Sequence, residues 1–369
     1  MADLTTVLKD SWNLVADRSD QVVEHFYARL FLAFPQLRDL FPVQMRAQRD
    51  RLLSAIVSAV HHFDDPVRLD AWLRGLGRDH RKFEVRPEHY AQVKVCLLDA
   101  IRSHAGDRWN DVYEQAWNDA YDLMADRMIA GAGERDDPPY WDAEVLSHER
   151  RGPDVAVFTC RPRQPFTFRA GQYVSLECPY RPRLWRSYSI ANSPREDGTL
   201  EFHVRATGAG WVSSALVRRL RAGDVLHLAA PMGSMTLDVT SRRDVVLVAG
   251  GTGLAPAKAL LGDLVKYNRT RWVHLFRGER QRDGFYDREQ LDLIAERYPW
   301  LSIVRAVSDE PGYPGERGAL HDVLSRHGPW RDHDFYVAGS GPMVNATLRR
   351  LAEMRVPSTR IRYDAFTDG

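Results

Sequence analysis

The chain has 369 residues, 44% of them hydrophobic and 27% charged, which leaves room for two or three domains with ample core. That composition excludes intrinsic disorder, collagen-like repeats and a disulfide scaffold. Fifty-one Lys+Arg against 50 Asp+Glu give a formal charge of +1, so no bulk basic field argues for nucleic acid.

Residues 3 to about 132 read as helix. Apolar residues recur at three and four, as in Leu52, Leu53, Ile56, Val57 and Val60, and again in Tyr90, Val93, Leu97, Leu98 and Ile101. Asp3 and Pro87-Glu88 mark helix starts. Phe26-Tyr27 and Phe31 lie on an early helix, Pro35 to Phe41-Pro42 makes a corner, and Gln48 and Leu52 share one helical face at i, i+4. His80 ends a further helix and Tyr90 lies on the next. Singly, such residues suit a surface histidine, a core tyrosine and a solvated amide. Their company points to a site.

The stretch Gly131–Pro139 is rich in Gly, Asp and Pro and ends the helical period. β-rich runs follow from Trp141, at Asp154–Cys160, Gln172–Cys178, Ser187–Ala191, Leu200–Ala206 and Val225–Ala229, and predict a small antiparallel barrel. Near Arg242 the rhythm becomes β-α: strands at Val245–Ala249, Val273–Phe276, Leu301–Ala306 and Asp334–Val337, with a helix over Pro256–Tyr267. That alternation predicts a doubly wound parallel sheet. The expected domains are an all-α one over 1–135, the barrel over 140–236 and an α/β domain over 240–369.

Arg186-Ser187-Tyr188-Ser189 sits on one barrel strand, where alternation puts Arg186 and Tyr188 on one face and Ser189 on the other. A guanidinium neutralises a diphosphate, a phenol ring covers an isoalloxazine face and a hydroxyl bonds a flavin edge. Gly171-Gln-Tyr173-Val174 precedes it. Gly210-Trp-Val-Ser213 opens a helix over Ser213–Leu220 whose free N–H groups can hold a pyrophosphate. Gly250-Gly251-Thr252-Gly253-Leu-Ala-Pro256 lies between a buried strand and a helix, the context a nucleotide turn demands. Gly339-Ser-Gly341-Pro342-Met343 follows another apolar strand, and the chain ends Asp364-Ala-Phe366-Thr-Asp-Gly369.

In this order the set resembles the ferredoxin–NADP reductase superfamily over residues 140–369. The resemblance implies FAD held by Tyr173, Arg186, Ser187, Tyr188, Ser189 and Ser213, with Phe366 stacked on the flavin. It implies NAD(P)H over Gly250, Gly251, Thr252, Gly253 and Pro256 and over Gly339, Gly341 and Pro342. Arg277, Arg280 and Arg282 suit a 2′-phosphate and Glu279 a free ribose 2′-hydroxyl, so the choice of NADH or NADPH stays open. The helical third resembles the globin domain of the flavohaemoglobins, and the two together cover nearly the whole chain. This second resemblance implies haem b with His80 on the iron, Phe41 on the porphyrin, Leu52 shaping the pocket, and Tyr27 and Gln48 donating to dioxygen.

Three departures stand out. The family pairs a tyrosine and a glutamate around the proximal histidine; Tyr90 fits the first, while an ungapped count puts Ala132 at the second. A shift at Gly131 or Gly133 would bring Glu134 into that catalytic place. Asp79 stands where lysine is usual, and the corner between Phe41 and Gln48 is about two residues short. The resemblance implies a nitric oxide dioxygenase. A haem–flavin oxidoreductase on a hydroperoxide or nitrogenous metabolite, and a gas-binding or sensing globin with its own reductase, are the alternatives.

Partners and place follow from composition. Cys96, Cys160 and Cys178 are too few and too far apart for a disulfide framework, no stretch approaches the ~18 apolar residues of a membrane helix, and the polar N-terminus has no leader pattern. A cytoplasmic protein is expected, a monomer or weak dimer, acting on small molecules (O2, NO) with no nucleic-acid or membrane partner.

Overall fold

Helical periodicity in the first third becomes six α-helices among the described residues: α1 (Leu4–Asn13), α2 (Ser19–Ala33), α3 (Arg46–His62), α4 (Pro66–His80), α5 (Pro87–Ala105) and α6 (Asp111–Ala132). Proline stands at the start of α4 and α5, where its missing N–H costs nothing, and Asp65 caps α4 by accepting from the Arg68 amide. The computed structural model describes residues 3–134, 136–208 and 210–366. Thr367–Gly369, the end of the C-terminal motif, lies outside them. The chain divides into two compact units, one up to Tyr140 and one from Trp141.

The helical unit packs around Leu8, Trp12, Val22, Phe26, Leu30, Leu97, Ile101 and Trp117. α4 and α6 approach until their backbones touch: a Cβ on Gly77 would lie 1.9 Å from the Met128 carbonyl oxygen, and one on Gly131 2.4 Å from that of Arg74. Only glycine permits that crossing.

The second unit holds two six-stranded sheets. β1 (Trp141–Arg150), β2 (Val155–Pro162), β3 (Tyr173–Glu177), β4 (Arg186–Ser189), β5 (Leu200–Arg205) and, after α7 (Trp211–Arg218), β6 (Val225–Leu228) pair antiparallel in the order β4-β3-β6-β1-β2-β5. A bridge from Ile190 to Phe202 brings the two end strands together, so the sheet is nearly a closed barrel. Phe158, Leu176, Phe202 and Leu226 fill it.

The other sheet follows from β7 (Asp244–Gly250), α8 (Leu254–Tyr267), β8 (Val273–Glu279), α9 (Arg288–Arg297), β9 (Leu301–Val307), β10 (Glu316–Arg317), α10 (Leu320–Arg326), β11 (His333–Ser340), α11 (Gly341–Glu353) and β12 (Ile361–Phe366). Its order is β10-β9-β8-β7-β11-β12, all parallel. Val245–Ala249 is wholly buried because α8 and α9 cover one face and α10 and α11 the other. Among the described residues no helix is long and apolar enough to cross a membrane.

Candidate functional site

In the helical unit α2 buries Tyr27 against Phe41 and Phe31, with ring centroids 5.6 and 5.7 Å away. Burial pushes the Tyr27 phenol up to about 12, and the side chain of Gln48, two residues into α3, pulls it partly back. Leu52, one turn further along α3, packs on the same apolar cluster. The structure thus brings Tyr27, Phe41, Gln48 and Leu52 together.

His80 is the last residue of α4. Its Nδ1 lies 2.8 Å from the Leu76 carbonyl, which can only accept, so Nδ1 carries the proton and Nε2 the lone pair. Burial lowers the pKa of the ring and keeps it neutral. Tyr90 packs where the two apolar clusters of this unit meet, and burial raises its phenol. Glu134 does not join them. It is exposed and accepts from Arg74 Nη1 at 2.7 Å and Arg78 Nη1 at 2.6 Å. α6 runs unbroken through Ala132 and is pressed onto α4 at Gly131, so the chain beyond leaves on the outer, arginine-bearing side of α4. Of the two alternatives the sequence leaves, no shift occurs at Gly131 or Gly133, and Glu134, expected as a catalytic residue, is corrected to a surface position.

In the barrel the β3–β4 register sets Tyr173 opposite Ser189 and Val174 opposite Tyr188. Arg186 and Tyr188 are half-buried, Ser187 is exposed and Ser189 buried. Burial raises the Tyr188 phenol. Ser189 Oγ donates to Asp364 Oδ2 at 3.3 Å, so β4 meets the C-terminal strand two residues before Phe366. Ser213 Oγ donates to the Gly210 carbonyl at the start of α7. The nucleotide turn is built as its glycines require: Gly251 has φ +57°, and a Cβ on Gly253 would lie 2.1 Å from the Ala338 carbonyl oxygen of β11. Thr252 completes this turn, and Pro256 is buried in the first turn of α8. Gly339 lies against Gly250, and Gly341-Pro342 opens α11 beside it. All lie at the carboxyl ends of β7 and β11, where ligands of open parallel sheets bind.

The sequence reading missed Asp364, whose half-buried carboxyl is raised by burial, and a charged set on β5, α8 and β8. It had signals: the alternation Glu201-Phe-His203-Val-Arg205, and Lys258 within the otherwise apolar opening of α8. Arg277 and Glu279, whose part in the choice between NADH and NADPH the sequence leaves open, are not a solvated pair: their side chains are 1% and 4% exposed and pair at 2.5 Å.

Family models match in the same order: globin over residues 24–128, oxidoreductase FAD-binding domain over 142–237 and oxidoreductase NAD-binding domain over 247–349. A flavohemoprotein of Bordetella pertussis is 30% identical over 398 aligned positions covering 100% of this chain and 98% of the relative. The chain belongs to the flavohaemoprotein family. A flavohemoprotein of Bacillus subtilis is 25% identical across 98% of this chain and 96% of its own. The fold matches the flavohemoglobin of Malassezia yamatoensis, solved with FAD and haem, with TM-score 0.78 at 18% identity over 99% and 98% of the two chains. The flavohem-like FAD/NAD-binding domain of the nitric oxide dioxygenase of Vibrio cholerae aligns with TM-score 0.56 at 22% identity, over 61% of this chain and 98% of that one.

As a flavohaemoprotein, the chain is an NAD(P)H-dependent oxidoreductase that uses haem and FAD. Its residues fit these groups. His80 keeps a lone-pair nitrogen on the helix that packs the smaller apolar cluster. In the turn at Gly250–Gly253 a side chain at Gly253 is barred by the β11 backbone and Gly251 takes a left-handed φ, the backbone a close pyrophosphate approach needs.

Proposed function

We propose that this flavohaemoprotein is a nitric oxide dioxygenase, turning NO and O2 into nitrate at the expense of NAD(P)H. The observation that carries the reading is the pair Tyr27 and Gln48, two neutral donors against one aromatic cluster in the same chain as a reductase. When bound, haem supplies the iron at which the two gases combine, and FAD converts a two-electron donor into single electrons. His80 Nε2 would hold the iron, with Phe41 packing on the porphyrin and Leu52 helping to bound the pocket. Tyr27, whose phenol keeps its proton far above neutral pH, donates to the dioxygen substrate, and the Gln48 amide adds a second dipole. Tyr173, Arg186, Ser187, Tyr188, Ser189, Ser213 and Phe366 hold FAD. Gly250, Gly251, Thr252, Gly253, Pro256, Gly339, Gly341 and Pro342 receive the nicotinamide nucleotide. The Vibrio cholerae neighbour, a nitric oxide dioxygenase by name, supports the assignment.

Steady-state NO consumption in air tests it. NO accelerates NAD(P)H oxidation and nitrate accumulates; failure of NO to accelerate the oxidation ends the reading. A second reading, a hydroperoxide or nitrogenous metabolite as substrate, draws on the proximal side: among the described residues no carboxylate hydrogen-bonds His80 or Tyr90. A carbonyl partner gives the imidazole less imidazolate character than a carboxylate would.

A further inference from the structure

Charged side chains are rarely buried, yet a connected set of them fills the seam between the flavin barrel and the nucleotide sheet. Strand alternation puts Glu201, His203 and Arg205 of β5 on one face. His203 is fully buried, with Nδ1 3.0 Å from the Tyr286 hydroxyl and Nε2 3.0 Å from Glu201 Oε1. A carboxylate accepts, so Nε2 carries the proton and Tyr286 donates to Nδ1. Lys258 Nζ donates to Glu201 Oε1 at 2.9 Å, Asp287 Oδ2 at 2.6 Å and Gln290 Oε1 at 2.8 Å, which satisfies all three of its N–H groups.

The set converges on the glycine-rich turn. Lys258 lies just over one helical turn after Gly253 on α8. Arg277, 5.5 Å from the Tyr286 ring centroid, donates to the Ala249 carbonyl on the strand entering the turn, at 3.4 Å, and to that of Gly278 on β8. Arg205 reaches the turn itself, since a Cβ on Gly251 would lie 3.3 Å from its Nη1. The strand entering the turn, the turn and the helix leaving it are all held to one barrel strand.

We propose that the Glu201–His203–Arg205 face of β5, closed by Lys258, is a positioning device for hydride transfer, fixing the nucleotide turn relative to the flavin barrel. In that step the C4–H bond of the dihydronicotinamide breaks with its electron pair; the nicotinamide is oxidised and the flavin takes up the hydride, reduced by two electrons. The cluster touches no reacting atom. It sets the separation of two rings bound on different sheets, and a misplacement of about 1 Å can slow such a step by roughly a hundredfold. Lys258 is the positioning residue because it ties Glu201 to Asp287: its loss takes from Asp287 the ammonium 2.6 Å away and leaves Glu201 with Arg195, 3.0 Å away on its other oxygen.

The test uses the full-length, FAD-loaded chain with NADH and no oxygen or NO, so it stands apart from the dioxygenase reading. In Lys258→Met the limiting rate of flavin bleaching at saturating NADH falls at least about tenfold, and hydrogen exchange of the amides over 249–254 quickens while those around Tyr188 keep their protection. Glu201→Gln, which keeps its shape and one acceptor, gives the same pattern at roughly threefold to tenfold, and Lys258→Arg recovers part of the rate. A limiting rate within about twofold of the parent in both Lys258→Met and Glu201→Gln overturns the proposal. So does a slow rate with unchanged exchange at the turn. Loss of FAD or of protection throughout the barrel makes the cluster a general structural one and overturns it equally.

Discussion

In the helical unit the groups proposed to face the ligands are neutral, namely the Tyr27 phenol, the Gln48 amide and an uncharged His80 ring held by a backbone carbonyl. The charges beside them are Arg49 near Tyr27 and the local Lys82–Asp79 pair flanking His80. The reductase unit buries Glu201, His203, Lys258, Arg277, Glu279 and Asp287 as one connected set. The contrast follows from the two tasks. A diatomic ligand that gains partial charge is best met by fixed dipoles in a dry pocket, where a full charge would itself have to be desolvated. A transfer between two separately bound rings needs fixed geometry, and a connected set of buried ion pairs has a narrow range of arrangements because removing one partner leaves a buried charge poorly compensated.

The largest expected effect separates the halves outright. His80→Ala removes the Soret band from the purified protein, while NADH-driven reduction of an artificial acceptor through FAD continues at the parental rate. If that acceptor activity is lost as well, the halves are not chemically independent. The converse change is Gly253→Ala, whose new methyl meets the Ala338 carbonyl oxygen 2.1 Å away. Overpacking of this kind costs about 1–3 kcal/mol, so NADH-driven flavin bleaching collapses while the Soret band and bound FAD persist. Parental bleaching rates in this variant would show that β11 yields.

Tyr27→Phe sharpens the account of the globin side. One hydrogen bond to a partly charged oxygen contributes ~1.5–3 kcal/mol, so stopped-flow measurement shows O2 leaving roughly tenfold to a hundredfold faster. Unchanged release means the donors lie elsewhere. The same phenol has a pH signature. Its pKa is about 12 in the folded pocket against 10.0 for a free tyrosine, so its contribution to stability is complete below pH 10 and is lost as pH rises towards 12, where the unfolded chain releases a proton the folded one keeps. Denaturant titrations above pH 10 show a shallower fall for Tyr27→Phe than for the parent.

Legibility in the sequence divided along similar lines. Arg186–Ser189 and Gly250–Gly253 are contiguous, and each lies within one strand or one turn, so the chain order exposes the local geometry of both. β1 carries an inward alternation of only three residues, Trp141, Ala143 and Val145, before a polar run, and it emerges only in the fold. Lys258 finds Glu201 across 57 residues and Gln290 across 32, a pairing that no local pattern encodes. The globin residues were readable by spacing until the end of α6. There the register is decided by glycines on two helices, Gly77 and Gly131, whose partnership is tertiary.

That end of α6 yields the smallest predicted effect. Hydrogen bonds from Arg74 and Arg78 hold the Glu134 carboxyl below the usual carboxylate range. It is exposed, however, and exposed ion pairs contribute little because water and salt screen them. Glu134→Gln should therefore leave the haem spectrum, the rate of NO consumption and its pH profile as they are. Were Glu134 the carboxylate that strengthens the proximal imidazole, the same change would weaken electron donation to the iron, and both the spectrum and the turnover would move. A clear drop in NO turnover with the flavin half intact would mean that the last turn of α6 rearranges towards His80 once haem is seated.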